Sequence, residues 1–476
     1  MNKKFYITAA IPYVNAKPHI GHALEFVQTD VIARYHKLLG DDVLALSGGD
    51  ENALKNVQAA ERAGVPIKDF VDQNSQLFFE LTKRLNVEFD VWQRGSDQAT
   101  HFPASQLLWQ LCDKNGDIYK KSYRGLYCVG CEAFYTLDEL DEKGECFEHP
   151  GRKLEEIEEE NYFFRLSAYQ DKIKQLIESN EIKIVPETRK NEVLSFINGG
   201  LSDLSISRSN ERARNWGVPV PHDNSQRIYV WFDALNIYQS GVGFGKDEER
   251  YKKWWPADVH VIGKGITRFH AVYWPAFLLS AGLSLPRKLF IHGYYTVNGQ
   301  KMSKTIGNVY DPIPLLSRFG ADPVRYYFLA KTPSFDDGDF SEEKFKEAYN
   351  FDLANGLGNL VARVAKLCER VEKRFDSQTI TNFSLVVREG LDNFQFLQSL
   401  SDIWLRIRNL DRFIESKQPW TLEGEELWQV LNNCVSAISQ IGYDLQPFMP
   451  ETAGKILSAF ETSHIKGVNS LFPRVN

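Results

Sequence analysis

Two histidines, a glycine and a pair of lysines are the residues whose types and spacing could do chemistry. Pro18-His19-Ile20-Gly21-His22 follows an apolar run, Phe5-Tyr6-Ile7-Thr8-Ala9-Ala10, and far downstream Lys301-Met302-Ser303-Lys304-Thr305 lies between Asn298-Gly299-Gln300 and Gly307-Asn308. Histidines three residues apart share one face of a first helical turn, so both can donate to phosphate oxygens. A strand that ends in a Pro-bounded turn and enters a helix at Gly21 to Ala23 aims free backbone N–H groups at the carboxyl edge of a sheet, which is an anion site. Gly21 has no Cβ, so a flat adenine can lie against the backbone there. Lys301 and Lys304, on a mobile loop, can close over β- and γ-phosphates as charge builds up. Such a set suits attack on the α-phosphate of ATP, where positioning and charge stabilisation do the work and the protein forms no covalent bond.

A second constellation suits a metal. Cys128-x2-Cys131 is followed, after 14 intervening residues (132 to 145), by Cys146-x2-His149. Thiolate and imidazole donors in two short pairs bridged by a loop are what tetrahedral zinc requires. Four protein ligands leave no open position, so the expected Zn²⁺ is structural. The bridging stretch from Thr136 to Glu145, with Asp138, Asp141, Lys143 and Gly144, reads as a turn tip. Cys112, Cys368 and Cys434 sit in apolar, helix-like settings and read as reduced core residues, which fits a reducing compartment.

The elements that must position these groups follow from the hydrophobic pattern. Residues 1–115 alternate strand and helix signals: strands at Phe5 to Ala10 and Val43 to Ser47, with a helix from Ala23 to Leu39 between them. Residues 116–220 are aromatic and Gly-rich, hold the cysteine cluster, and include an acidic run (Glu155, Glu156, Glu158, Glu159, Glu160) that reads as a solvated helix start. The α/β pattern returns over 221–325, with Arg227 to Phe232, His260 to Ile262 and Lys288 to His292. After a linking segment, 326–350, only long amphipathic runs remain over 351–476, such as Leu353 to Arg374 and Val386 to Phe413. The expected fold is therefore α/β: a Rossmann-type parallel sheet binding a nucleotide, interrupted by an inserted zinc-knuckle domain and followed by an all-α bundle.

Composition agrees. The chain's 476 residues are too many for one core, and 43% hydrophobic with 25% charged residues is ordinary for a soluble globular protein. No stretch approaches a membrane span, and Met1-Asn2-Lys3-Lys4 runs straight into a strand, so a cytoplasmic location is expected. A net charge of −7 argues against non-specific coating of nucleic acid while leaving room for a local RNA-docking patch.

The two chemistry-bearing motifs resemble the signatures of class I aminoacyl-tRNA synthetases, and further stretches narrow the resemblance to the methionyl-tRNA synthetase family. These are Ala10-Ile11-Pro12-Tyr13-Val14-Asn15, Tyr127-Cys128-Val129-Gly130-Cys131, Asn161-Tyr162-Phe163-Phe164-Arg165-Leu166, Tyr229-Val230-Trp231-Phe232-Asp233-Ala234-Leu235, and Ile262-Gly263-Lys264 through Trp274-Pro275. The likeness runs from about Phe5 to Leu471-Phe472-Pro473-Arg474. It implies ligation of methionine to tRNA(Met) through methionyl-adenylate, with Mg²⁺ on the leaving pyrophosphate. By the same resemblance His19, His22, Lys301 and Lys304 are catalytic, and these four with Gly21 and Ser303 bind ATP. Ile11, Tyr13, Trp231, Ala234, Leu235, Tyr238, Phe269, His270 and Trp274 occupy methionine-pocket positions, and Asp50 the position that receives the substrate ammonium. A thioether is a poor hydrogen-bond partner, so such a pocket works by shape and aromatic contact.

At the RNA end, Asn359 and Arg363 lie four residues apart on one helix face, and Lys417-Gln418-Pro419-Trp420 offers an aromatic held at a helix start, suited to stacking on a base. The family implies that Asn359, Arg363, Pro419 and Trp420 read the CAU anticodon. A monomer is expected, because the chain ends soon after the bundle. The sequence departs from the family pattern at Gly263-Lys264-Gly265, where Gly-Lys-Asp is usual, at Asp50-Glu51-Asn52-Ala53, where Asp-Glu-His-Gly is usual, and at Thr305 in place of Ser. Two alternatives stay open: a class I synthetase for another amino acid such as cysteine or leucine, and a non-catalytic tRNA-binding paralogue. Zinc ligands placed in the insertion weigh against cysteine, and the intact His19, Gly21, His22, Lys301 and Lys304 weigh against the paralogue.

Overall fold

The computed structural model describes residues 3–128, 130, 133–135, 140–146, 151, 153–302, 307–376, 380–461 and 464–475. The chain forms two compact units. The first comprises residues 1–18, 40–83 and 88–292, and the second 19–39, 84–87 and 293–476.

The first unit is built on a six-stranded sheet. Its strand order is Val91–Arg94, Asp42–Gly49, Lys4–Ala9, Val259–Gly263, Lys288–His292, Lys183–Val185. Each neighbouring pair is parallel. A parallel sheet is covered on both faces, so its strands read as unbroken apolar runs; Phe5 to Ala9 and Val259 to Gly263 are accordingly buried throughout. The central pairing is long-range, with Ile7 opposite Val259, Thr8 opposite His260 and Ala9 opposite Val261. The expected parallel sheet is present.

Two readings of local structure are corrected. The acidic run is not a helix start but the strand Glu155–Phe164, antiparallel to Ile118–Cys128. Burial alternates along it, with Ile157, Asn161 and Phe163 inward, which is the period of a half-buried strand. Basic residues on the partner strand offset its charge: Arg124 pairs with Glu156 at 2.9 Å, and Lys120 lies 3.8 Å from Glu160. The run at Arg227 to Phe232 is not a strand of the large sheet. The chain leaves the strand Asp223–Ile228, antiparallel to Pro219–Val220 and Ser207–Ser209, and enters the short helix Val230–Ala234. Ile228 through Leu235 are all buried, and a stretch buried on every side carries no period to separate strand from helix.

The second unit is mainly helical. Helix Ile20–Leu38 belongs to it, with Tyr349–Gly358, Asn359–Cys368, Leu385–Asp392, Phe396–Lys417, Gly424–Leu445 and Pro450–Phe460. The long amphipathic run through Val386 is two helices, broken where Phe394 takes a left-handed φ of 60°. Arg325 ties this unit together. It is fully buried, pairs with Asp30 at 2.7 Å, and donates to the carbonyls of Phe448, Pro447, Leu85 and Asn86. Every donor of the guanidinium is thereby used, which is what a buried charge requires. Among the described residues no helix is long and apolar enough to cross a membrane.

Candidate active site

In the first unit the chain segments leaving three strand ends build an aromatic cluster. Ile11 and Tyr13 follow Lys4–Ala9, Asp50 follows Asp42–Gly49, and Phe269 and His270 lie just beyond Val259–Gly263. Ligands of parallel α/β sheets bind at this edge. Tyr13 and Asp50 are bridge partners, and the Asp50 N–H donates to Pro12 O at 2.9 Å, which ties the acidic residue to the first strand's exit. Helix Val230–Ala234 supplies Trp231, whose ring stacks on Phe269 at 3.8 Å with 4° between the planes. Tyr13 meets Trp231 edge-on at 6.0 Å. Such contacts contribute about 0.5–1.5 kcal/mol each beyond the area they bury. Ala234 and Leu235 continue from Trp231 and are buried. Trp274 is fully buried and packs edge-on against Trp255 at 6.0 Å.

The histidines of this cluster are arranged to stay neutral. Nδ1 of His270 donates to Ile266 O at 3.0 Å, so Nε2 accepts from the hydroxyl of Tyr238 at 2.8 Å. Burial pushes the His270 pKa from its ordinary 6.5 down to about 4, against a smaller opposing effect of the bond to Ile266. His260 lies 2.6 Å from the hydroxyl of Thr8, and its pKa is also pushed well down, by burial first and His270 second. One neighbour carried no signal in the sequence. The Lys55 ammonium lies 2.8 Å from the centre of the Tyr13 ring and donates to Gly130 O at 3.3 Å.

In the second unit His19 and His22 differ from expectation in an informative way. His19 is the N-cap of helix Ile20–Leu38; its Nδ1 accepts from Gly21 N at 3.1 Å, and Nδ1 of His22 accepts from His19 N at 3.2 Å. Ile20 N donates to Tyr310 O at 3.1 Å. The first-turn N–H groups are thus engaged within the protein rather than free, because the histidines themselves form the capping box. With Nδ1 accepting, the neutral rings carry their protons on Nε2. Their ring centres stack at 3.8 Å with 29° between the planes. The place beside Gly21 also differs: a Cβ would meet the His19 ring at 3.0 Å and the Met302 methyl at 3.6 Å. A side chain there would press on the His19 ring, so the glycine leaves that ring its place.

Lys301 closes a hairpin. Asn298 and Gly299 both take positive φ, 52° and 75°, the turn that joins Tyr295–Val297 to Gln300–Lys301. Asp339 pins this turn by accepting from Gly299 N and Thr296 Oγ1, each at 2.7 Å. Lys301 is exposed. Ser303, Lys304 and Thr305 lie outside the described residues, as do Cys131 and His149. Cys128 and Cys146 are buried, with their sulfurs 3.2 Å apart and Tyr135, Leu140 and Leu154 around them.

At the RNA end Trp420 is 45% exposed while Pro419 beneath it is buried. Asn359 begins helix Asn359–Cys368 and lines a cleft of about 470 Å³ with Asn350, Asn355, Arg474 and Val475. Arg363 is turned onto carboxylates, at 2.5 Å from Asp411 and 2.6 Å from Glu415. Asn355 and Arg474 were not legible in the sequence. Asn355 lies in the π-helical stretch Tyr349–Gly358, where ordinary helical spacing misplaces faces.

The model of the family described as tRNA synthetases class I (M) matches residues 5–365. The methionine–tRNA ligase of Brucella melitensis biotype 1 is 40% identical over 474 residues, covering 96% of this chain and 91% of its own length. The chain belongs to the methionyl-tRNA synthetases of class I. Within that family the ligase of Thermotoga maritima is 41% identical over 473 residues, covering 95% of this chain and 74% of that one. Among solved structures, methionyl-tRNA synthetase of Mycobacterium tuberculosis bound by methionyl-adenylate superposes with a TM-score of 0.91 at 38% identity, covering 99% of this chain and 100% of that one.

The buried His270 makes stability depend on pH. Its folded pKa lies below the unfolded value, so below pH 6.5 the unfolded chain takes up a proton that the folded ring refuses. The stabilisation is complete above pH 6.5 and is lost as the pH falls towards 4, by at most about 1.4 kcal/mol per pH unit. His270→Gln should lose less stability than the parent over this interval in thermal melts. Identical pH slopes for the two proteins would contradict the assignment.

Proposed function

We propose that the chain is a methionine–tRNA ligase, which activates methionine with ATP to methionyl-adenylate and pyrophosphate and then transfers the methionyl group to the 3′-terminal adenosine of tRNA(Met). The observation that carries this reading is the aromatic cluster of Trp231, Phe269 and Tyr13 with the hydrogen-bonded Tyr238–His270 pair beside it, in a family whose relatives are methionine–tRNA ligases. An unbranched thioether is held there by aromatic contact. Asp50 receives the ammonium.

The Nε2 donors of His19 and His22 hold the phosphates of ATP, taken as its Mg²⁺ complex. Lys301, Ser303 and Lys304 bind the phosphates that leave, and the lysines stabilise the charge that develops on pyrophosphate. Adenylate formation needs nothing further from the protein than position and charge. A cytoplasmic monomer is the setting we infer, since the substrates are those of translation.

Cys128, Cys131, Cys146 and His149 would hold one Zn²⁺. Support comes from the two described thiols, which converge in an apolar cluster at a separation near the roughly 3.7 Å that two thiolates on one tetrahedral zinc span. Bound there, zinc supplies folding energy to the insertion. Metal analysis of protein purified without chelator should find close to one zinc per chain, and Cys146→Ser should lose it and become more sensitive to limited proteolysis within residues 116–220. A parent protein free of zinc would overturn this part of the reading.

The anticodon is read by Trp420 on its Pro419 support together with Asn359. Arg363, its guanidinium held by Asp411 and Glu415, is the further reader by family resemblance, and Asn355 and Arg474 line the cleft that Asn359 lines. Support comes from the exposure of Trp420, since an exposed aromatic can stack on an unpaired base, worth about 1–3 kcal/mol by alanine substitution. Trp420→Ala should therefore cut aminoacylation of tRNA(Met) by about tenfold or more, while methionine-dependent pyrophosphate exchange without tRNA stays intact. Equal loss in both assays, with a lower melting temperature, would make Trp420 a structural residue.

A further inference from the structure

The first unit contains a buried polar cluster that the proposed reaction leaves unused. Asp233, two residues beyond Trp231, is almost wholly buried, and none of the residues bonded to it is a lysine or arginine. Its Oδ1 accepts from His101 Nε2 at 2.7 Å and from Ser105 Oγ at 2.8 Å; its Oδ2 accepts from Asn52 Nδ2 at 2.7 Å. The other nitrogen of His101 bonds Ser240 Oγ at 2.8 Å, in the helix Ile237–Ser240 that carries Tyr238. The same Asn52 nitrogen donates a second time, to Gly95 O at 2.8 Å.

These bonds join the three parts of the amino-acid pocket. Asn52 stands two residues from Asp50, Asp233 two residues from Trp231, and Ser240 two residues from Tyr238. His101 and Ser105, one turn apart on helix His101–Lys114, form the fixed post between them. Stability alone does not account for such a cluster, because replacing buried charged networks by apolar side chains of similar volume is often neutral or stabilising. Geometry does account for it. An apolar contact permits sliding, whereas a carboxylate holding three donors fixes distance and direction. Asn52 fits the role chemically: one amide nitrogen offers two N–H groups, to Gly95 O and to Asp233, where an imidazole nitrogen offers one.

We propose that Asp233 is a positioning residue for the amino-acid substrate, holding the Trp231 wall and the Asp50 ammonium acceptor at a fixed separation through Asn52, His101 and Ser105. The inference rests on the reading of this pocket as the methionine site. It goes beyond that reading in assigning the pocket's precision to a carboxylate that touches no substrate. Asp233 fixes the separation between two contacts on methionine, so it acts on methionine binding and not on ATP.

The test is steady-state pyrophosphate exchange with full-length protein, titrating methionine and ATP separately. Asp233→Asn keeps the shape but turns an N–H group towards a donor. It should raise the KM for methionine about tenfold or more, with the KM for ATP within twofold of the parent. Exchanging the pair, Asn52→Asp with Asp233→Asn, restores one carboxylate–amide bond in the opposite sense and should recover part of the methionine KM. Ser105→Ala, which removes a single donor, should shift the methionine KM in the same direction by a smaller factor, and it supplies the readout if Asp233→Asn does not fold. An unchanged methionine KM in folded Asp233→Asn or Ser105→Ala, with only a lower kcat and melting temperature, would overturn the positioning role. A parent protein with no methionine-dependent exchange would instead remove the reading on which it rests.

Discussion

The parallel pairing of Lys4–Ala9 with Val259–Gly263 is the interaction on which the first unit depends. Two strands about 250 residues apart must meet in register before either strand exit has a function. Their meeting is over-determined. Asp258 accepts from Tyr6 N at 2.8 Å, Thr8 bonds His260, and Ala10 N donates to Val261 O at 3.0 Å, so the register is held by side chains as well as by the ladder. A slip of one residue would turn every side chain of the strand to the other face. It would break the Thr8–His260 contact and take Tyr13 away from Trp231. Long-range parallel pairing is entropically costly to close, and the apolar content of these two strands is what offsets that cost.

A second constraint follows from what the pocket is inferred to hold. Methionine offers a charged ammonium at one end and a thioether, nearly without hydrogen-bonding power, at the other. On this reading opposite chemistries fall to two places far apart in sequence: Asp50 at a strand exit, and a wall in which the polar atoms of Tyr238 and His270 bond one another. Keeping His270 neutral matters because a buried imidazolium would be a poor neighbour for a thioether and for its own apolar surroundings. In the second unit the same residue type does a different job. His19 and His22 spend Nδ1 on the helix's own N–H groups and so keep their protons on Nε2. Each histidine's role is set by what its other nitrogen is bonded to.

How much of this was legible in the sequence depends on whether a feature is local. The strands at Phe5 and Val43, the helix after Gly21 and the helical C-terminal region have strong periodicity and appear close to where they were expected. The acidic strand was misread because five glutamates suggest a solvated helix, and only the basic partner strand, some 35 residues earlier, explains their tolerance in a sheet. The segment through Trp231 was misread because complete burial erases periodicity. The histidine capping box is local, but histidine is an uncommon cap, and the spacing of His19 and His22 points only to donors for phosphate and not to what their other nitrogens bond. Arg325 with Asp30, Lys55 over Tyr13, and Asp233 with His101 and Asn52 are pairs made by tertiary structure alone. Nothing in their spacing marks them.

The central claim, that the Trp231 pocket selects methionine for activation by ATP, is tested most directly by pyrophosphate exchange into ATP with each of the amino acids supplied singly. The account predicts exchange with methionine, weak exchange with homocysteine and norleucine, which differ from it by only about 1–3 kcal/mol of pocket contact, and none with cysteine or leucine at matched concentration. Exchange driven by cysteine or leucine in preference to methionine, or by no amino acid at all, would contradict it.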